Sequence, residues 1–289
     1  TIHKIGTVTE GDVVSITNFN DSFTFSITET RKTWFETSYL LDQKQTKNGK
    51  ANERFENFDK QPLQFSFPKH FTGKLSSPFG GGREGAPKAA IIREKGSNSE
   101  REMANAMFLA GFDVKDVHMT DLISGRETLE DIQFIGAVGG FSNSDVLGSA
   151  KGWAGAFLYN EKANTALKNF FKREDTLSVG ICNGCQLMME LELINPEHEV
   201  HGKMKHNDSN KHESGFTSVK IQKNNSVMLS TLEGATLGVW ISHGEGKFNL
   251  PMPENAYNIV AKYGYEGYPA NPNGSDYNTA MMCDTTGRH

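Results

Sequence analysis

The stretch richest in chemistry is Leu177-Ser178-Val179-Gly180-Ile181-Cys182-Asn183-Gly184-Cys185-Gln186. An apolar, strand-like run enters Gly-x-Cys-x-Gly, and Leu187, Met188 and Leu191 follow at helical spacing. This is the spacing of a nucleophile elbow with Cys in place of Ser. Glycines on both sides admit a sharp turn that lifts the Cys182 side chain out at the carboxyl end of a sheet. The helix N-terminus behind it favours thiolate over thiol, and its unpaired N–H groups can bind an oxyanion. The sequence therefore predicts a low-pKa nucleophile at Cys182, with Cys185 turned into the helix. Three other readings of Cys182-x-x-Cys185 stay open: a buried small hydrophobe, a thioredoxin-like redox pair and a zinc half-site. The zinc reading needs two more ligands. Cys283 is isolated, and His198, His201, His206 and His212 read most simply as solvated loop residues.

A second constellation is Val138-Gly139-Gly140-Phe141-Ser142-Asn143-Ser144-Asp145, at the carboxyl end of another strand-like run. Glycines there let backbone N–H groups face a ligand, although a Gly-rich connector would look the same. The third is Ile241-Ser242-His243-Gly244-Glu245-Gly246, where a His and a Glu on a turn could be acid–base partners or substrate contacts, although a single His is usually structural or solvated. Pro269-Ala270-Asn271-Pro272-Asn273-Gly274-Ser275 is a rigid turn cluster whose chemistry the residue types leave unassigned.

Elements that could position these residues follow from periodicity. Strands are expected at 89–92, 113–117, 132–138 and 177–181, alternating with helices at 103–110, 163–171 and 184–191. Ser99 and Glu102 look like a capping box. That alternation implies an α/β fold with a doubly wound, mostly parallel sheet. Later segments at 216–221, 238–242, 257–261 and 279–283 also read as strands. Before residue 85 the pattern differs, with strands at 3–9, 12–17 and 23–27 and a helix from Thr33 to Asp42 capped by Thr33 and Glu36. Residues 43–60 look like a mobile polar loop, and Gly80-Gly81-Gly82 with Gly85-Ala86-Pro87 like a linker.

Composition removes whole classes of function. Hydrophobic residues make up 36% and charged residues 22%, yet 19 Phe, 3 Trp and 7 Tyr suffice for a core. Lys and Arg number 30 against 35 Asp and Glu, giving −5, and no basic stretch exists, so no nucleic-acid partner is expected. No apolar run approaches the roughly 18 residues of a membrane span, and three cysteines make no disulfide framework. A cytoplasmic enzyme or binding protein without membrane contact is expected. The start at Thr1 on a strand-like alternation, and the stop at His289 after a strand and a hairpin turn (Asp284 to Gly287), read as an internal piece of a longer chain.

At these motifs the chain resembles the C-terminal glutaminase part of the large, single-chain phosphoribosylformylglycinamidine synthases, whose glutaminases are class I glutamine amidotransferases. The likeness rests on Gly180 to Gln186, Gly139 to Ser142 with Asp145 to Gly148, Ser242 to Gly246 and Pro269 to Ser275. It is reinforced by Arg93-Glu94 with Gly96 and Asn98, and by Val117 to Leu122. It is strong over 87–289 and looser before that. The resemblance implies a flavodoxin-like glutaminase domain at 86–289, preceded at 1–85 by a small α+β remnant of a synthetase domain plus linker. It implies glutamine hydrolysis through a thioester on Cys182. The Asn183 N–H and the Gly139–Gly140–Phe141 turn would form the oxyanion hole, and Gln186, His243, Gly244 and Glu245 would contact glutamine. The partners implied are glutamine and the synthetase domain of the same polypeptide, which would use ATP and Mg²⁺; no cofactor or metal is expected at 86–289. The family's triad His and Glu sit in a Pro-His-Pro-Glu motif that has no match up to His289, so this chain alone is expected to be inactive. Asn143-Ser144 also departs from the family's common Tyr-Gly. The alternatives are a glutaminase serving another acceptor and a non-catalytic docking module.

Overall fold

The structure is a computed structural model that describes residues 1–60, 64–74 and 81–289. Of the linker glycines, Gly80 lies outside the described residues. In chain order the N-terminal segment contains β1 (Val13–Asn18), β2 (Asp21–Ser26), α1 (Ile27–Gln45) and α2 (Lys50–Asn57). The central part runs β3 (Lys88–Arg93), β4 (Ser97–Asn98), α3 (Glu100–Leu109), β5 (Asp113–His118), α4 (Met119–Ser124), β6 (Phe134–Ala137), β7 (Gly139–Gly140), α5 (Lys151–Leu158), α6 (Glu161–Lys172), β8 (Leu177–Gly180) and α7 (Asn183–Glu190). The last part is β9 (Lys203–Lys205), β10 (Glu213–Ile221), β11 (Thr236–His243), β12 (Lys247–Asn249), β13 (Asn258–Tyr263) and β14 (Thr279–Cys283).

Strands β5-β3-β6-β8 form a wholly parallel sheet in that order, the doubly wound arrangement expected from the alternation. Its inner strands are short apolar runs because helices leave them no wet face: Ala89, Ala90, Ile91 and Ile92 are at most 2% exposed. Trp153, Phe157, Leu167 and Phe170 from α5 and α6 complete this core. Helix α6 forms because Asn160 caps it, accepting from the Ala163 N–H at 3.0 Å, while Ala163, Ala166, Leu167 and Phe170 share its buried face. A second sheet, β11-β10-β13-β14, is antiparallel throughout and accounts for the four later strands.

The structure corrects several expectations. Residues 3–9 form no strand, because their exposed apolar side chains find no partner sheet. Helix α1 starts six residues before Thr33: Ser26 caps it, accepting from the Glu29 N–H at 3.2 Å, and Thr33 instead donates to the Glu29 carbonyl at 3.0 Å. Ser99 precedes α3 but makes no side-chain cap; its φ of 73° follows from Asn98 being held in β4 against Gly139. The polar stretch 43–60 contains α2 rather than a loop. Tyr39 stacks on Phe55 at 4.4 Å between centroids and Phe35 on Phe58 at 4.9 Å, so α2 is docked on α1 by aromatic faces. No helix among the described residues is long and apolar enough to cross a membrane.

Candidate active site

Strand β8 delivers the chain to Cys182, whose φ of 56° and ψ of −110° form the strained elbow that the spacing predicts. The flanking glycines are required by close approach. A Cβ on Gly180 would stand 2.5 Å from the Gly184 carbonyl oxygen, and one on Gly184 would stand 2.1 Å from that of Ala137. Helix α7 therefore starts pressed against the ends of β8 and β6, with Cys182 at its N-cap. Two backbone N–H groups, of Asn183 and Gly140, face the Cys182 thiol and favour its charged form, while Sγ itself donates to the Ser242 carbonyl oxygen at 3.5 Å. Gly140 reaches it because β7 pairs with β4 in a backbone of φ 104° that only glycine adopts without strain, with Asn98 N just 2.5 Å from where a Cβ would be. Gly139 packs beneath, its missing Cβ 3.4 Å from that of Cys182.

The Phe141 N–H, expected as a third oxyanion donor, is spent on the Gly96 carbonyl at 3.0 Å, because the short β4–β7 pairing continues through it. The N–H pair at the thiol is thus Asn183 and Gly140.

Side chains around the elbow form one chain of amides. Asn183, fully buried, accepts from the Ser142 N–H at 3.1 Å and donates to Asp145 at 2.9 Å and to the Gln186 Oε1 at 2.7 Å. Gln186 in turn donates to the Glu245 carbonyl at 2.9 Å. The three sequence constellations, 139–145, 180–186 and 242–246, therefore converge on one place. Their side chains, however, mostly hold one another. The Gln186 amide is 6% exposed and already bonded, and the Glu245 carboxylate accepts from both the N–H and the hydroxyl of Ser149 and lies 3.3 Å from His206 Nε2. The ring of His243 packs over Gly246, where a Cβ would be 2.6 Å from Nδ1, and that buried nitrogen has no partner among the described residues. Burial keeps the imidazole below its ordinary pKa and hence neutral at pH 7. Among the described residues no histidine is hydrogen-bonded to the Cys182 thiol.

Electrostatics overturns one expectation. Burial raises the Cys182 thiol above its ordinary pKa, and it outweighs the two N–H groups that pull the other way; Asp145 adds to the rise. The sequence shows the helix N-terminus and not the desolvation, so it predicts a thiolate where the structure holds a thiol. Burial pushes the Cys185 thiol still higher, to about 12. Iodoacetamide labelling of Cys182 is therefore expected to climb with a midpoint above that of a free cysteine, roughly 8.5, with Cys185 silent through that range. A labelling plateau already reached at pH 7 would contradict this assignment.

Asn207 is a residue bracing the His243–Gly246 turn that sequence reasoning passes over. It is 2% exposed, donates to the His243 carbonyl at 2.7 Å, and accepts from the Gly246 N–H at 3.1 Å; its own N–H donates to Gly244 at 2.9 Å. Nothing in the polar run around it distinguishes this Asn. The neighbouring histidines are also not all solvated. His198 is packed on Tyr257 and bonded to the Ala256 carbonyl at 3.1 Å, and His212 contacts the Ser242 hydroxyl at 3.0 Å. Ser275, from the 269–275 turn, accepts from the Phe248 N–H at 3.2 Å and reaches the Gly246 carbonyl at 3.4 Å, which gives that turn a supporting role. Cavities of about 210 Å³ between α1 and α2 and of about 350 Å³ against the 269–275 turn are not lined by Cys182, which is half-buried while Phe141 and Ile181 are exposed.

Comparison with known proteins shows the family and the fold. Residues 86–289 match the family of CobB/CobQ-like glutamine amidotransferase domains. The whole chain aligns at 37% identity with 22% of a probable phosphoribosylformylglycinamidine synthase, chloroplastic/mitochondrial, of Arabidopsis thaliana. At 39% identity, 90% of it aligns with 21% of the Homo sapiens phosphoribosylformylglycinamidine synthase, and at 44% identity 71% aligns with 17% of a probable one from Caenorhabditis elegans. The chain thus spans about a fifth of the length of these relatives. Among solved structures it resembles a chain of PurLQS from Thermotoga maritima, with a TM-score of 0.56 and 24% identity over 70% of this chain and 84% of that one, a likeness of fold.

Proposed function

The chain belongs to the family of CobB/CobQ-like glutamine amidotransferase domains, and from that premise we propose that it hydrolyses the side-chain amide of glutamine at Cys182. Sγ attacks the amide carbon, and the carbonyl oxygen takes over the Asn183 and Gly140 N–H groups as it becomes an oxyanion. The C–N bond breaks as the amide nitrogen is protonated and leaves as ammonia. Water then cleaves the γ-glutamyl thioester to glutamate. The observation that carries this reading is the thiol facing two backbone donors from a strained elbow. The base that takes the thiol proton and returns it to nitrogen belongs, in this proposal, to the Pro-His-Pro-Glu segment that the resemblance implies.

The acceptor proposed for the ammonia is formylglycinamide ribonucleotide, amidated by a synthetase domain of the same polypeptide in purine biosynthesis. Relatives of that name at 37–44% identity support it over another class I acceptor. The cytoplasmic placement belongs to the same proposal. ATP and Mg²⁺ are assigned, in the same proposal, to that synthetase domain.

A chloroketone analogue of glutamine tests the reading. Its expected effect is a mass shift on Cys182, saturable in analogue and slowed by glutamine. An unmodified Cys182, or labelling indifferent to glutamine, would favour the docking module.

A further inference from the structure

Helix α2 lies in the segment before the amidotransferase domain, yet it grips that domain at its glutamine-side turn. Tyr268, 1% exposed, is held on three sides. Its N–H donates to Glu53 at 2.6 Å, its carbonyl accepts from Asn57 at 2.9 Å, and the Arg54 guanidinium carbon lies 4.8 Å from its ring centroid. All three gripping residues come from α2. The Tyr268 hydroxyl then donates to Glu213 at 2.6 Å, and Arg54 donates to the other oxygen of that carboxylate at 2.5 Å. Glu213 is 3% exposed and sits directly opposite His243 in the β10–β11 register. Further along the chain from Tyr268, Ser275 supports Gly246 and Phe248. The turn from His243 to Gly246 is thus braced at its His243 end by Glu213, which Arg54 of α2 and Tyr268 hold, and at its Gly246 end by Ser275, from the turn that follows Tyr268.

The cluster is also closed electrically. Arg54 and Lys211 face Asp42 and Glu213, two cations against two carboxylates, with Arg54 lying 3.4 Å from Asp42. Removing one partner of a buried ion pair of this kind leaves an uncompensated charge and is strongly destabilising. Lysine cannot replace the arginine fork, which serves both acids and stacks on the ring at once.

We propose that α2 is a positioning element of the glutamine site, with Arg54 and Tyr268 setting the His243–Gly246 turn through Glu213. The affinity of the amidotransferase domain for glutamine is then set partly by the segment that precedes it. This rests on the reading of Cys182 as a glutaminase nucleophile.

The test follows alkylation of Cys182 in the full chain by the chloroketone analogue, separating half-saturating concentration from limiting rate, with iodoacetamide as a probe that ignores the glutamine pocket. Tyr268→Phe, which removes one hydroxyl, and Arg54→Lys, which keeps the charge, are expected to raise the half-saturating concentration by roughly tenfold, the scale of one buried hydrogen bond. The limiting rate and iodoacetamide rate should stay within about twofold of the original, as for a loss confined to binding. Arg54→Met should raise the half-saturating concentration further than Arg54→Lys. Unchanged half-saturation in Tyr268→Phe and Arg54→Lys overturns the proposal, and so does an equal change toward both probes, which marks a general loosening of the fold. Failure of the unsubstituted chain to saturate overturns the glutaminase reading itself, and the positioning role with it.

Discussion

Joined at His289 to roughly 20 further residues carrying a Pro-His-Pro-Glu motif, a length set by one strand plus a turn, the polypeptide is expected to release glutamate from glutamine about 10⁴-fold faster than the 289-residue chain. The reason lies in what surrounds Sγ. It has two N–H donors and the Ser242 carbonyl, and burial holds it as a thiol, so nothing described takes its proton or returns one to the departing nitrogen. His243 does not substitute, since its Nδ1 is packed against Gly246 and the Cys182 Sγ meets the Ser242 carbonyl rather than the imidazole. The Ser178 N–H donates to the Arg288 carbonyl at 3.1 Å and the Ser178 hydroxyl meets His289 Nδ1 at 3.0 Å, which sets these residues against the free edge of β8, the strand that leads to Cys182. Cys182→Ala in the longer polypeptide should return the rate to background. Equal rates for the two lengths would refute both the proposed base and its location.

The parts of this site that the sequence reveals are those set by neighbours in the chain. Gly180, Cys182 and Gly184 lie within five residues, so the elbow needs no knowledge of the fold beyond a strand before it and a helix after it. The apolar runs at 89–92 and 177–181 declare the parallel sheet for the same reason. Distant partners decide the remainder. Helix α2 looks like loop because its stretch is mainly polar; what orders it is Tyr39, on another helix, and Tyr268, more than two hundred residues away. Phe141 looks like an oxyanion donor until Gly96 is seen to occupy its N–H. The thiol pKa turns on desolvation, which belongs to the assembled site and leaves no local mark. Asn207 carries no signal at all, although it closes the His243–Gly246 turn with three hydrogen bonds.

Gly184→Ala is the second large effect expected, and its sign separates local from tertiary reasoning. Gly184 lies in the first turn of α7, where helix propensity alone favours alanine by about 1 kcal/mol. The added Cβ would stand 2.1 Å from the Ala137 carbonyl oxygen, 2.5 Å from its carbon and 2.9 Å from its side chain. These are backbone and Cβ atoms of a buried central strand, so no flexible side chain can move aside; α7 must shift instead. Overpacking of that kind costs about 3 kcal/mol or more, which exceeds the propensity gain. The net loss of roughly 2–3 kcal/mol should lower the melting temperature by about 4–12 °C in a domain of this size. The shift also carries the Asn183 N–H away from Sγ, so analogue labelling of Cys182 should fall along with stability. Gly215→Ala supplies the comparison, because its Cβ would meet nothing within 4 Å, and it should leave both measurements unchanged. A melting temperature for Gly184→Ala equal to or above that of the original would mean that α7 does not press on β6, and the close approach that makes the elbow would be wrong.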